Sequence, residues 1–303
     1  MKVLRVFDML PFIHAGAVNK RAYLLPELRD TEDSFVESII YCGGVSLMWN
    51  ILYQHYGTCD MVFCSDRTPT VKQEMFSGYK ANREHKESVR QMRDTAEYIL
   101  NDCGFDVLYE DGYEADDFIF SVVQENKNAY DHIYIYTGDS DLYFLVSDNV
   151  TILPSSSRAK EVNMQNYTYT AGGSKREYVP YNMNTFYKIL YGDTSDGIPP
   201  LPKNIAEHLR SAFDNKMMQR FMGDKETILQ ALEISGPEVM AQAHLVLPID
   251  VRAPREFKRG NKVRIAEWGS AFGNKYYATG GEPPKRIKDC IEEMAELGFA
   301  VTR

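Results

Sequence analysis

The chain has 303 residues, of which 44% are hydrophobic and 25% are charged, as is ordinary for a globular protein of one or two domains. No apolar run approaches the ~20 residues of a membrane span, so a membrane protein is excluded. The formal net charge of −9 argues against a nucleic-acid partner unless the excess acids are gathered in one place.

In chain order, short apolar runs alternate with helical patterns in the first half. Strands are predicted at Val3–Phe7, Met61–Cys64, Phe105–Tyr109, His132–Tyr136 and Val150–Leu153, and helices at 33–56, 86–102 and 114–126. Residues 67–84 have no clean period, and 154–180 are predicted as strands and loops at a sheet edge. The alternation predicts an α/β fold with a central, mainly parallel sheet flanked by helices.

The character of the chain changes after residue 180. Helices are predicted at 182–191, 203–213, 225–232, 236–245 and about 285–297. Two regions follow: an α/β core at 1–180 and a mainly helical region at 181–303.

The N-terminal segment and the cysteines indicate the cellular compartment. MKVLRVFDML is expected to be a first strand rather than a signal peptide, because Asp8 interrupts an apolar stretch that is already short. Five cysteines without a C-x-x-C pair argue against zinc and against a disulfide framework. Reduced thiols in a cytoplasm fit best.

Nine acidic residues are the most informative feature. They form five groups, namely Asp8, Asp66, Glu114-Ala-Asp116-Asp117, Asp139-Ser-Asp141 and Asp193-Thr-Ser-Asp196. Most follow a strand or open a helix, positions that gather at one edge of a parallel sheet. Crowded carboxylates repel one another unless cations neutralise them, and Mg²⁺ or Mn²⁺ prefers oxygen ligands. Such a site with two metal ions is suited to phosphodiester hydrolysis.

Each group also has an ordinary explanation. Acids at a helix N-terminus explain residues 114–117, a polar turn explains 139–141, and a helix C-cap with a turn explains 193–196. Against this, Glu114 and Asp117 would share a helical face, and Asp139 and Asp141 would face the same side of an extended segment. The joint pattern favours the metal site.

Basic residues suggest where a nucleic acid would bind. Lys80 and Arg83, three apart, would share a helical face that could hold a phosphate, and Tyr79 could stack on a base. The alternative is a surface helix with a buried tyrosine. Basic residues are concentrated in two runs, 67–93, which includes Lys80 and Arg83, and 252–264. Each run is ordinarily a solvated face, but two beside a metal site favour nucleic-acid binding.

The motifs occur in the order strand-Asp, strand-Asp, Y-K-x-N-R, E-A-D-D, T-G-D-x-D, G-D-x-x-D. This order resembles the 5′-nuclease family, which includes flap endonucleases, the 5′-exonuclease domain of bacterial DNA polymerases and the phage ribonuclease H. The resemblance spans about residues 3–210, and 244–264 is similar to the C-terminal part of the phage members. It implies a PIN-like core with two Mg²⁺ ions, Mn²⁺ as a substitute, and a helical arch or clamp at about 67–100.

The resemblance also implies roles by position. Asp8, Asp66, Glu114, Asp116 and Asp117 match the first metal cluster. Asp139 and Asp141 match acids that are shared with, or belong to, the second cluster, and Asp193 and Asp196 match its outer acids. All nine are therefore expected to be metal-binding and catalytic. Lys80 and Arg83 would contact the scissile phosphate, and Tyr79 would stack on an unpaired base.

One segment departs from the family pattern. Where the family usually reads N-I-P-G-V-x-G-I-G, this chain continues from Gly197 as I-P-P-L-P-K-N-I-A. Proline has no N–H to donate, so 192–213 is expected to be a degenerate helical hairpin whose grip on duplex and on a monovalent ion is in doubt. Phosphate contacts are expected instead from Lys203, Arg255, Lys258 and Arg259.

The expected function is a structure-specific 5′ nuclease acting on DNA flaps and on RNA or DNA strands in duplexes, including RNA primers in replication. A monomer is expected, in a bacterial or phage-infected cytoplasm, with a single-strand-binding protein or a clamp as plausible partners. Two alternatives stay open. A PIN-type endoribonuclease for single-stranded RNA would not need Y-K-x-N-R or the helical C-terminal half. A non-catalytic DNA-binding scaffold predicts lost carboxylates, and none of the nine is missing.

Overall fold

The structure is a computed structural model that describes residues 1–13, 52, 55–83, 87–153, 161–164, 168–170, 178–212 and 224–266. Its strands are β1 (Val3–Asp8), β2 (Asp60–Cys64), β3 (Asp106–Leu108), β4 (His132–Tyr136), β5 (Val150–Leu153), β6 (Thr168–Thr170) and β7 (Tyr178–Pro180). Its helices are α1 (Thr70–Met75), α2 (Glu87–Asp102), α3 (Ala115–Asn126), α4 (Tyr181–Tyr191), α5 (Lys203–Ala212), α6 (Lys225–Glu233) and α7 (Pro237–Val246), with a 3₁₀ helix at Ser140–Leu145.

Five strands form the central sheet, in the order β3-β2-β1-β4-β5. β2 pairs with β3 in parallel, with Val62 opposite Asp106, and β4 pairs with β5 in parallel, with Ile133 opposite Val150. Every residue of β2 is buried, which is typical of a parallel strand covered on both faces. The predicted α/β fold with a mainly parallel sheet and flanking helices is confirmed.

The described chain divides into two compact units. The first comprises Met1–Val6, Asp66–Arg83 and Tyr109–Arg255, and the second takes its described residues from Phe7–Ser65, Glu84–Leu108 and Glu256–Arg303. The prediction of a boundary at residues 180 and 181 stays a prediction.

Each unit has its own aromatic packing. In the second unit Phe63 stacks on Phe7 with ring centroids 4.8 Å apart and meets Phe105 edge-on at 5.4 Å. In the first, Phe120 of α3 packs on Phe144 of the 3₁₀ helix at 6.0 Å. Aromatic pairs at these distances add to the free energy of burial and fix the elements that carry them.

Two predictions about irregular regions need adjustment. β6 and β7 form a separate antiparallel pair rather than extending the central sheet, and among the described residues of 154–180 only Val162 bridges to β5, opposite Ile152. The unperiodic stretch 67–84 contains the short helix α1 followed by turns. The predicted helix at 285–297, and most of the one at 33–56, lie outside the described residues. Among the described helices none is long and apolar enough to span a membrane.

Candidate active site

The loop after β2 is tied to the start of α3. The backbone amide of Ala115 donates to Asp66 Oδ1 at 2.9 Å. Glu114 is the N-cap of α3, and its side chain and that of Asp117 form a capping box. Burial raises the pKa of Asp66 above its ordinary value, against the lowering effect of the Ala115 amide. The two ends therefore meet at an acidic junction from which water is largely excluded.

Asp117 is engaged by the backbone on both of its oxygens. Its Oδ2 accepts from the amide of Glu114 at 2.9 Å, and its Oδ1 accepts from the amide of Ile249 at 2.6 Å. The side chain is 1% exposed. These contacts give Asp117 a structural role at the start of α3, and its metal ligation stays a prediction.

Glu114 is surrounded by donors. The Tyr79 hydroxyl donates to its Oε2 at 2.7 Å, the Lys72 ammonium lies 3.4 Å from the same oxygen, and Lys80 pairs with Oε1. Burial would raise the pKa of Glu114, but Lys80 and Lys72 outweigh it and hold that pKa below its usual range. Glu114 is therefore ionised, and its charge is balanced by two lysines.

The Y-K-x-N-R segment is a series of turns rather than the predicted helix. Lys80 has a φ of +50°, the left-handed conformation, and its amide donates to the Asp196 carbonyl at 2.8 Å. Tyr79 is 2% exposed, so the tyrosine of the alternative interpretation is buried but its surface helix is absent from this segment, and stacking of Tyr79 on a base stays a prediction. Burial raises the pKa of its hydroxyl, which remains a hydrogen-bond donor.

The G-D-x-x-D segment packs its backbone on these turns. Gly197 has a φ of +73°, and a Cβ there would clash with the carbonyl oxygen of Gly78. Arg83 reaches the Asp196 carboxylate at 2.7 Å, and the Lys80 ammonium lies 3.5 Å from it. Lys80 thus contacts an acid predicted for the first cluster and another predicted for the second.

The T-G-D-S-D segment is not extended as predicted. Asp139 is the N-cap of the 3₁₀ helix, and its Oδ1 accepts from the amide of Asp141 at 2.9 Å. Capping by the Asp139 carboxylate therefore turns the chain between the two acids. Burial, and then the neighbouring Asp139, raise the pKa of Asp141 to about 7. Forming a second charge beside Asp139 is costly, which is the condition that a cation would relieve.

Lys188 of α4 is a further cation that the sequence analysis did not single out. Its ammonium pairs with Asp141 Oδ1 and lies 2.6 Å from Asp193 Oδ2. Despite opposing burial, Lys188 and the Ser195 hydroxyl lower the pKa of Asp193 to about 2. The attraction of Asp141 and Asp193 outweighs burial and raises the pKa of Lys188, so the ammonium stays charged.

Three acids from two motifs converge at this point. Asp141, Asp193 and Asp196 each offer a carboxylate oxygen, and these oxygens lie within 4.8 Å of one another. Hard oxygen donors at this spacing fit a divalent cation such as Mg²⁺ or Mn²⁺ better than a soft metal ion. The arrangement could hold a metal ion, as the spacing of the motifs predicted.

The remaining predicted acids are placed without a shared cluster. Asp8 ends β1 and is 5% exposed, and Asp116 lies in the first turn of α3. Asp116 raises the pKa of Lys80, after Glu114 and Asp196, so its charge acts on the same network. The metal roles of all nine acids stay predictions.

The predicted phosphate-binding residues are exposed, but each has an acidic partner. Arg255 pairs with Glu125 at 2.7 Å in the first unit, and Lys203 lies 3.7 Å from Glu207. In the second unit Lys258 lies 3.2 Å from Asp106 and Arg259 lies 3.2 Å from Asp60. Their phosphate contacts stay predictions, and the acidic partners reduce the net charge they present.

Two basic residues of the network were missed. Lys72 is 4% exposed within a stretch that lacked periodicity, and Lys188 stands in the mainly apolar segment Phe186–Tyr191. A lysine within an apolar helical segment, five residues before the aspartate of G-D-x-x-D, was a signal that could have found Lys188. Lys72 belongs to the basic run 67–93, but nothing in that run distinguished it from the other basic residues.

The chain is similar to several known proteins. A family profile described as "5′-3′ exonuclease, N-terminal resolvase-like domain" matches residues 12–172. DNA polymerase I of Caldicellulosiruptor bescii is 32% identical over 258 residues, which cover 81% of this chain and 30% of the polymerase. The 5′-3′ exonuclease of Mycoplasma pneumoniae is 28% identical over 159 residues, covering 50% of this chain and 52% of that protein.

A solved structure was also matched. The T5 5′-exonuclease with bound zinc aligns over 96% of this chain and 99% of its own at a TM-score of 0.48 and 15% identity. The chain spans between about a fifth and a third of the DNA polymerases that it matches, with 22% for Mycobacterium bovis.

Proposed function

The chain belongs to the 5′-3′ exonuclease family, and on that premise we propose that it is a Mg²⁺-dependent, structure-specific 5′ nuclease. Its substrates are DNA flaps and RNA or DNA strands in duplexes, including RNA primers in replication. The convergence of Asp141, Asp193 and Asp196 within 4.8 Å, beside basic residues, is the observation that carries the proposal. Carboxylates this close together repel one another unless a cation lies beside them.

The metal ions would be held by carboxylates of the nine acids, with Asp141, Asp193 and Asp196 as the group already assembled. Bound there, divalent ions supply an activated water and stabilise the leaving oxygen of a phosphodiester. Asp66, in the loop after β2, and Asp116, in the first turn of α3, are the acids proposed to complete the site. Asp117 is proposed to hold the start of α3 in place rather than to bind metal.

The chain's own residues do the positioning. Arg83 is half exposed, with 52% of its side chain accessible, and can reach a phosphate oxygen while its guanidinium remains near Asp196. Lys80 is more enclosed, and offsets charge that develops on the phosphate as the bond breaks. Tyr79 and Lys72 hold Glu114 ionised and oriented. The product would carry a 5′-phosphate.

The testing experiment is an assay with three substrates and a matched pair of variants. A 5′-labelled flap duplex, an RNA–DNA hybrid and a single-stranded RNA are incubated with the protein and Mg²⁺. Asp141→Asn is expected to lower the rate of cleavage at least ~100-fold, which abolishes detectable cleavage, while binding of the substrates is largely retained. The control is Asp111→Asn, because the side chain of Asp111 is fully exposed.

The outcomes separate the functions. Release of short 5′ fragments from the flap or the hybrid, lost in Asp141→Asn alone, supports the proposal and ranks the substrates. Cleavage of single-stranded RNA alone would replace it with an endoribonuclease. Binding of the duplex without cleavage by the wild-type protein would leave a scaffold, and full Mg²⁺-dependent cleavage by Asp141→Asn would overturn the assignment of the site.

A further inference from the structure

Lys188 occupies a position that a metal ion would also need. Its ammonium pairs with Asp141 and lies 2.6 Å from Asp193, and these are two of the three acids that converge within 4.8 Å. The lysine side chain is only 22% exposed, and the two acids are 15% and 10% exposed. The ion pair is therefore well shielded from water, where the attraction between charges is strong.

The two acids are fixed while the lysine is the adaptable member. Asn184, one turn before Lys188 on α4, donates to the carbonyl and to the hydroxyl of Ser140 at 3.0 Å each, which anchors α4 to the 3₁₀ helix that carries Asp141. Asp193 is held by a β-bridge to Ile198. A lysine ammonium stands on four flexible carbons, so it can leave without moving either backbone.

We propose that Lys188 is the resident counter-ion of the Asp141–Asp193 pair, and that a divalent cation binds there by displacing it. The inference rests on the proposed function, since it assumes that these acids bind metal. The oxygens that pair with the ammonium are the ones that would ligate the cation. Two cations in contact with the same oxygens repel each other strongly in a shielded site, so binding at this pair is an exchange rather than a simple addition.

The exchange makes two opposite demands on one residue. Without metal, Lys188 neutralises acids that would otherwise repel each other, and so it stabilises the fold. During metal binding the same attraction has to be broken, and so Lys188 weakens the affinity of the site. A purely structural lysine would give a different pattern, because its loss would loosen the site and weaken metal binding.

The test measures the affinity for Mn²⁺ by calorimetry and by the paramagnetic resonance of the free ion, without substrate. Lys188→Met, which keeps the length of the side chain without its charge, is expected to bind Mn²⁺ at least about tenfold more tightly than the wild-type protein. In EDTA the same variant is expected to unfold at a lower temperature. Lys188→Arg retains a cation and is expected to show no such tightening.

The control for removal of one positive charge is Lys127→Met. Lys127 follows the last residue of α3, about 20 Å along the helix from Glu114, and contacts Gln124. The affinity of Lys127→Met for Mn²⁺ should match that of the wild-type protein within about twofold.

The outcomes distinguish this inference from the proposed function. If the wild-type protein binds Mn²⁺ and cleaves the flap, but Lys188→Met binds Mn²⁺ no more tightly, the exchange is wrong and the nuclease stands. If neither protein binds Mn²⁺ and the flap is not cleaved, both fall. Tighter binding by Lys188→Met together with lower stability in EDTA supports the exchange.

Discussion

At the scale of single residues, neighbouring acids of one motif differ in what surrounds them. Glu114 is contacted by two ammonium groups and a hydroxyl, whereas both oxygens of Asp117 accept backbone amides. The sequence places the two acids on one helical face and cannot tell them apart. The difference arises from Ile249, which lies 132 positions along the chain from Asp117, a contact that no local pattern could predict.

Asp117→Ala should destabilise the protein without preventing metal binding. The change leaves the buried amide of Glu114 and the partly buried amide of Ile249 without these acceptors, a loss of roughly 2–4 kcal/mol in the free energy of unfolding. Urea denaturation monitored by circular dichroism measures this loss, with the exposed Asp111→Ala as the control. A stability equal to that of the control would show that Asp117 does not hold the start of α3.

The raised pKa of Asp141 gives a prediction for the metal-free protein. Because its pKa is about 7 in the folded state and near 3.8 unfolded, the folded protein binds the proton more tightly between these values. The stability associated with protonated Asp141 is therefore present at low pH and is lost as the pH rises from about 4 to 7.

Asp141→Asn removes this titration. In EDTA, its stability relative to the wild-type protein should increase by ~2 kcal/mol between pH 5 and pH 8, because only the wild-type protein has to ionise the buried acid. Thermal or urea unfolding at both pH values measures the difference. An advantage that shrinks over this range would mean that the Lys188 ion pair outweighs burial and Asp139.

At the scale of elements, period and composition predicted most boundaries. The predicted strand at His132–Tyr136 is β4 without change, and the helices predicted at 86–102 and 114–126 begin within one residue of α2 and α3. Two segments were predicted wrongly. The conformation of 79–83 depends on the left-handed residue Lys80, and that of 139–141 depends on the N-cap Asp139. Both features arise from hydrogen bonds that a single residue makes, and hydrophobic periodicity does not report them.

The contact between the turns at residues 77–82 and 193–197 depends on a glycine. Gly197→Ala would place a methyl group against the Gly78 carbonyl and strain a φ of +73°. We expect a loss of at least about 2 kcal/mol and weaker metal binding, because Asp196 lies in the same turn.

Gly57→Ala is the matched control for that change. Gly57 has a φ of +76°, but a Cβ there would meet nothing within 4 Å, so only the backbone conformation is penalised, by about 1–2 kcal/mol. Comparing the unfolding temperatures of the two variants isolates the contact between the turns. Equal losses would show that the contact contributes little.

At the scale of the whole molecule, net charge conceals local balance. The 34 lysines and arginines and 43 aspartates and glutamates give −9, yet the described acids of the site are largely matched by nearby cations. The motifs predicted that the acids cluster. They could not predict which cation pairs with which acid, because most of the partners are far apart in the sequence. In the basic run at 252–264 the exposed cations Arg255, Lys258 and Arg259 are likewise balanced, each by a nearby acid.

This balance predicts how binding of a flap duplex depends on salt. Arg255→Ala should weaken binding by less than about threefold, and should reduce the slope of log K against log salt by less than about one, because Glu125 already offsets that charge. Glu125→Gln should act in the opposite direction and strengthen binding. Fluorescence anisotropy at several KCl concentrations measures both, and a loss of binding in Glu125→Gln would contradict phosphate contact by Arg255.

The left-handed backbone at Lys80 matters to anyone who engineers this protein for heat resistance. A φ of +50° favours glycine over a residue with a side chain, so Lys80→Gly would relieve local backbone strain. The same change would remove the ammonium that reaches Glu114 and Asp196, and leaving these enclosed acids with fewer partners costs more than the ~1 kcal/mol of strain that is relieved. The usual stabilising replacement of a left-handed residue by glycine should therefore fail here, and selection for durability would keep the lysine.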